Sequence, residues 1–131
     1  MELSDLLGSM PFSVTVGIEL EAAGPDEVRG RLAWSDERCT VAGAMHGGAI
    51  MTLHDSVGGV CAFLNLPEGA GTSTIESKTN LLGAVRTGAV HAVARPVHVG
   101  RTTIVVQTEG RDDSGRLVAL TTQTQAVLPA R

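Results

Sequence analysis

The sequence predicts an α+β domain in which an antiparallel sheet wraps around one long helix. Three observations carry that expectation. One stretch alone, from Gly47 to about Leu64, shows apolar residues at helical spacing. Six others alternate in polarity or run in Val, Ile and Thr, as strands do. The links between the last four strands have hairpin length, which pairs neighbours antiparallel.

In chain order, LSDLLGSM (3–10) reads as a short helix capped by Ser4 or Asp5. SVTVGIELEAAG (13–24) alternates as a strand and GPDE supplies a turn. In EVRGRLAW, Val28, Gly30, Leu32 and Trp34 share one face, with Arg29 and Arg31 on the other. SDERCTVAGAM (35–45) is the one long stretch without a period, and a loop of that length is usually functional. Ile50, Leu53, Val57, Val60, Cys61 and Leu64 then recur at three and four residues, predicting a helix apolar nearly all round and hence buried. Asn65-Leu66-Pro67-Glu68-Gly69 stops it. TSTIESKTNLL, AVHAVARPVHV, RTTIVVQTEGR and RLVALTTQTQAVL are the last four strands, joined by RTG, VGR and DDSG. No repeat, low-complexity tract or boundary divides residues 1–131, so a single domain is expected.

Composition excludes several classes. The net charge is −4, Lys78 is the only lysine and there is no tyrosine, so no basic stripe or stacking platform exists for nucleic acid. No apolar run approaches the roughly 20 residues of a membrane span. MELSDLLGSM lacks the basic flank of a signal peptide. Cys39 and Cys61 sit in unlike contexts and read as reduced thiols of a cytoplasmic protein. Phe12, Trp34 and Phe63 are the only aromatics and read as core or interface. A core built so largely from Val, Leu, Ala, Ile and Met predicts completion through an oligomer interface.

The chemistry concentrates in AMHGGAIMTLHDSVGGVCAF, residues 44–63. The first N–H groups of a helix have no internal partner and carry partial positive charge. Gly47 and Gly48 add no side chain there, so a substrate carbonyl could approach the backbone. By itself the pair equally suits tight packing of a helix on a sheet. Asp55, about two turns on, tips the balance towards a site. Its neighbours at three and four residues are Met51, Thr52, Gly58 and Gly59, and none can form a salt bridge. Exposed helical glycines would each cost about 1 kcal/mol against alanine. Gly58 and Gly59 make sense where a partner helix or an acyl chain lies against them. His46 is read as fixing the loop and helix start through hydrogen bonds. His54 points roughly 100° away from Asp55 and, with His91 and His98, is read as structural or surface. No metal is expected, since these histidines match no zinc spacing.

The element order, with GAMHGGAIMTLHD heading the only long helix, resembles the hotdog fold. It is most similar to the acyl-CoA thioesterases of the phenylacetate-degradation and hydroxybenzoyl-CoA type, over nearly the whole chain. TIESKTNLL, HVGRTT and DDSGRLVALTTQTQAVL are similar to the family's later strands and hairpin. The resemblance implies that the Gly47 N–H polarises a thioester carbonyl. It implies that Asp55 is nucleophile or general base, acting with Gly47 of another subunit across a homodimer interface, and that dimers assemble to a homotetramer. Thr74, with Ser73 beside it, matches a hydroxyl that commonly assists the acid. Where the family usually has Asn or Gln six residues before the histidine, this chain has Thr40. Gly83-Ala84 stand where Arg-Pro is often found. Gly100, Arg101 and Thr102, with Arg86, are candidates to contact the phosphates of coenzyme A; Gly48 and Met51 are candidates for the acyl site. Coenzyme A belongs to the substrate, and no separate cofactor is expected.

Two further functions fit the same fold. One is a weakly catalytic or non-catalytic acyl-CoA-binding module, motivated by Thr40 and the missing Arg-Pro. The other is a dehydratase pairing His46 with an acid across the interface.

Overall fold

In the computed structural model, which describes residues 1–131, the N-terminus forms two short helices, α1 (Leu3–Gly8) and α2 (Pro11–Val16). A hairpin of β1 (Glu19–Ala23) and β2 (Val28–Ala33) follows. Two single-turn segments, Asp36–Arg38 and Val41–Gly43, lead into the long helix α3 (Gly47–Phe63). Four strands complete the chain: β3 (Gly71–Leu81), β4 (Ala89–Val99), β5 (Thr103–Arg111) and β6 (Leu117–Leu128). They form one antiparallel sheet in the order β1-β2-β4-β5-β6-β3, curled around α3. This is the expected α+β hotdog architecture.

The core lies between α3 and the concave face of the sheet. Val28 and Leu32 of β2, Leu53 and Val57 of α3, and Ile104 and Val106 of β5 are fully buried. Each such side chain contributes about 1.5–3 kcal/mol by leaving water. Gly30 permits the close approach of β2 to the helix: a Cβ there would stand 2.8 Å from a Val57 methyl and 3.0 Å from the Glu19 carbonyl. Val28, Gly30 and Leu32 therefore face inwards, as their alternation predicts.

The N-terminal expectation needs correction. SVTV does not enter a strand; it lies in α2, and the strand begins only at Glu19. Pro11 at the first helical turn presets the backbone and left-handed Gly17 (φ 99°) ends the helix. The buried Ser13 hydroxyl then bonds that of Ser56 on α3 at 2.7 Å. Tertiary anchoring outweighs the strand preference of the valines. The cap of α1 is also displaced: Glu2 precedes the helix and donates its N–H to the Asp5 carboxylate at 3.3 Å.

Helix α3 is likewise not buried all round. Leu53, His54, Ser56, Val57, Gly58, Val60, Cys61 and Ala62 face inwards. Gly48, Met51, Asp55 and Phe63 form an open stripe, with Thr52 and Gly59 half-exposed beside it. At the far edge of the sheet, β3 pairs with β6 alone and is open over most of its length, Ile75 and Leu81 included.

Candidate active site

The start of α3 is built by His46. Its backbone bonds Arg38 (His46 N–H to the Arg38 carbonyl, 2.7 Å), which ties the preceding loop to the helix. Its ring Nδ1 accepts from the Gly48 N–H at 2.8 Å, capping the helix. His46 thus has the anchoring geometry that its position suggests. The carbonyl of His46 accepts from Ala49 and Ile50. Gly47 alone among these first residues donates its N–H to nothing in the chain. It sits beside Leu81 in a cavity of about 360 Å³, also lined by Met45, Ile50 and Leu82.

Two turns along, Asp55 projects between two cavities. The larger, about 470 Å³, lies between α1, the second half of α3 and the start of β3. Thr72, Ser73 and Thr74 line it with Leu6, Gly59 and Phe63. The other, about 400 Å³, brings Asp55 and Thr74 together with Met51, Ser77 and Phe12. Asp55 is open to solvent in the single chain, yet protein crowds its carboxyl from the inner side. Burial accordingly pushes its pKa above the ordinary 3.8, while hydrogen bonds from Gln123 and Thr74 pull it back.

Gln123 was not among the candidates from sequence. It is fully buried on β6 and donates from Nε2 to Asp55 Oδ1 at 3.3 Å. The same nitrogen lies 3.1 Å from Gln125 Oε1, which also accepts from the Thr74 hydroxyl at 2.7 Å. Gln125 Nε2 in turn donates to the Thr72 hydroxyl at 3.1 Å. The signal was present in TTQTQAV, where polar residues occupy both faces of one strand. A strand half-buried on one face should instead alternate.

The two helical glycines separate. Gly58 faces inwards, and a Cβ there would stand 2.0 Å from Gln123 Oε1. It makes room for a side chain of its own chain, which corrects the expectation of a partner helix or acyl chain there. At Gly59 a Cβ would meet nothing within 4 Å, and the residue lines the 470 Å³ cavity.

His54 turns away from Asp55 into the core, its Nδ1 2.8 Å from the Thr121 hydroxyl. Burial lowers its pKa to about 4, so the ring is neutral at physiological pH. Thr40 is exposed, starts the Val41–Gly43 turn and lines none of these cavities. Gly100, Arg101 and Thr102 form the β4–β5 hairpin, at the end of the sheet where β3 begins. Arg86 lies at the other end, its Nε 3.4 Å from the Ala42 carbonyl. A single chain therefore brings together Asp55, Thr74, Ser73 and Met51, but not Thr40, Arg86 or Arg101. Phe12 and Phe63 stand exposed at cavity rims rather than in the core. Both cysteines are free, and no group of three His, Cys, Asp or Glu side chains converges as metal ligands. No helix is long and apolar enough to cross a membrane.

Comparison with known proteins accords with this geometry. Residues 42–119 match the thioesterase superfamily model. The chain is 30% identical over 128 residues to the 1,4-dihydroxy-2-naphthoyl-CoA hydrolase of Escherichia coli, covering 98% of this chain and 94% of that protein. Its fold superposes on a thioesterase from Haemophilus influenzae with a TM-score of 0.90, at 28% identity, over 98% of this chain and 91% of the other. A Pseudomonas aeruginosa thioesterase gives 0.91 at 29% identity, over 98% and 95%. With its six-stranded antiparallel sheet around one helix, this chain belongs to the thioesterase superfamily, the hotdog-fold enzymes that hydrolyse thioesters.

Proposed function

We propose that the protein hydrolyses an acyl-CoA thioester to a free carboxylic acid and coenzyme A, with Asp55 and the Gly47 N–H as its two reacting elements. The observation that carries this reading is their joint state. One is an acid whose cavities contain no lysine or arginine, and the other is a helix-start donor without an acceptor. Asp55 attacks the carbonyl carbon or takes a proton from the water that does so. The oxygen of the carbonyl gains charge in that step, and a preorganised N–H directed at it contributes about 3–4 kcal/mol. The Thr74 hydroxyl acts on the carboxylate through Gln125, to whose Oε1 it donates beside the Gln123 amide that holds Asp55.

Eight residues of helix separate Gly47 from Asp55, about 12 Å at 1.5 Å per residue. One thioester cannot meet both within one chain. A twofold homodimer that joins the open β3 edges and α3 stripes would set Gly47 of one protomer against Asp55 of the other. Such an assembly also covers Met51, Ile75 and Leu81, which a lone chain leaves exposed. Arg86 and Arg101 lie near opposite ends of the sheet, and in this reading one of them, from one protomer or the other, meets the coenzyme A phosphates. The substrate's own coenzyme A is the only cofactor chemistry this mechanism uses.

The test is turnover of a panel of aromatic and medium-chain acyl-CoAs, followed with a thiol reagent. Hydrolysis of at least one member, abolished in Asp55→Ala, is expected. No turnover of any, or full turnover by Asp55→Ala, refutes the mechanism. The acyl-CoA-binding module is favoured by one observation, that Thr40 stands where the family usually has Asn or Gln and carries no amide to orient water or substrate. Saturable binding without hydrolysis would select it.

A further inference from the structure

We infer that Gln123, held by Gln125 and Thr72, is a positioning residue that fixes the Asp55 carboxylate and keeps one of its oxygens free for reaction. The inference rests on Asp55 being the reacting acid.

The polarity of this relay follows from its far end. Thr72 donates its single hydroxyl hydrogen to the Ala126 carbonyl at 2.9 Å, so towards Gln125 it can only accept. The Gln125 group 3.1 Å from it must therefore be the NH₂, and the amide oxygen faces the other way. That oxygen accepts from Thr74, so the Gln123 group beside it must also be NH₂. The second hydrogen of that nitrogen is directed at Asp55 Oδ1. Each link dictates the next, and the sequence ends on a carboxylate oxygen that must accept.

Two features argue that the relay is built rather than incidental. Gln123 is fully buried, and its Oε1 has no partner, which costs stability. An amide placed only for packing would be better replaced by an apolar side chain of the same size. The slot it occupies exists only because residue 58 is glycine. The inner face of β6 thus sacrifices hydrophobic contact at 121, 123 and 125 to bring one N–H to Asp55. No Lys or Arg lines the two cavities that Asp55 enters, and Asp5 is the only other carboxylate there. The Gln123 amide is therefore the principal fixed donor on the inner side. With Oδ1 bound, Oδ2 is the oxygen left to attack or to hold a water.

The test compares Gln123→Met, Thr72→Val, their double variant and Asp55→Asn. Methionine fills the glutamine volume without the donor, so a packing role predicts wild-type kinetics. The relay predicts a fall in kcat of about tenfold with KM within about twofold, as for loss of a hydrogen bond to a charged group. It also predicts that the Asp55 carboxyl, titrated by NMR without substrate, moves to higher pH, together with the acid limb of kcat. Thr72→Val should move both in the same direction by less. The double variant should fall no further than Gln123→Met, because the two act through one path. Wild-type kinetics and titration in Gln123→Met or Thr72→Val, with Asp55→Asn inactive, overturn the relay alone. If Gln123→Met does not fold, Thr72→Val decides. Activity retained by Asp55→Asn overturns both the relay and the mechanism beneath it.

Discussion

Gly47→Pro removes one hydrogen from the site and little else. Gly47 is the first residue of α3, where proline is favoured because its missing N–H would have no helical partner. The preceding residue, His46, is extended (ψ 132°) and so avoids the α conformation that a following proline disfavours. No hydrogen bond of the chain is lost, because the Gly47 N–H makes none. A new Cβ at this position would lie 2.5 Å from Leu81 Cδ1. The near atom is the end of a flexible side chain, which shifts to clear it. Restricting the unfolded chain should stabilise by about 0.4–1 kcal/mol, offsetting that shift. Thermal unfolding should therefore barely change, while kcat falls by about 10²–10³ with the loss of an oxyanion donor. Gly47→Ala brings the same Cβ and keeps the N–H, so the ratio between the two variants isolates the hydrogen bond. Equal rates in both would refute the role of Gly47. Co-refolding equal amounts of Gly47→Pro and Asp55→Ala tests the shared site. Half the dimers are then mixed, with one intact site of two, so about a quarter of wild-type activity returns. No recovery would mean that both groups act from the same chain.

Asp55→Asn should abolish turnover yet raise the melting temperature at pH 7. Burial lifts the folded pKa of Asp55, so its stabilising form is the protonated one, and that contribution is lost as pH rises through the folded pKa. The gain from asparagine should vanish in acid, and a lowered melting temperature at pH 7 refutes the burial argument. The acid limb of wild-type kcat/KM should lie above the ordinary aspartate value of 3.8, as read from a pH–rate profile. His54 behaves oppositely: the unfolded chain protonates below 6.5 and the folded one only near 4. Stability should fall by about 3 kcal/mol between those values, by urea unfolding, and His54→Gln should flatten the slope. Gly59→Ala should stabilise by about 1 kcal/mol in thermal melts, since its Cβ meets nothing. It should also shift selectivity towards smaller acyl groups; a destabilised variant would show that position to be filled.

The sheet and α3 were legible because their signals are local. Alternation named the inner face of β2, and three–four spacing found the helix within two residues of its observed end. Residues 11–16 were not legible, because what holds them is a hydrogen bond between Ser13 and Ser56, 43 residues apart. The same divide runs through the site. Gly47 and Asp55 stand out by their spacing and by lacking nearby partners in the sequence. Gln123 meets Asp55 only because β6 crosses α3, and the reason for glycine at 58 lies on that strand too. Thr40, Arg86 and Arg101 bear on Asp55 only if another chain supplies the missing geometry.

The open flank of β3 has a consequence for how the enzyme must be handled. A free edge eleven residues long, rich in β-formers, is a template on which any extended chain can add. Self-pairing removes that hazard and, under the proposed mechanism, creates catalysis in the same event. Specific activity would then obey mass action, declining on dilution as protomers part and recovering on concentration. A rate quoted without the concentration of protein would describe the association equilibrium as much as the chemistry.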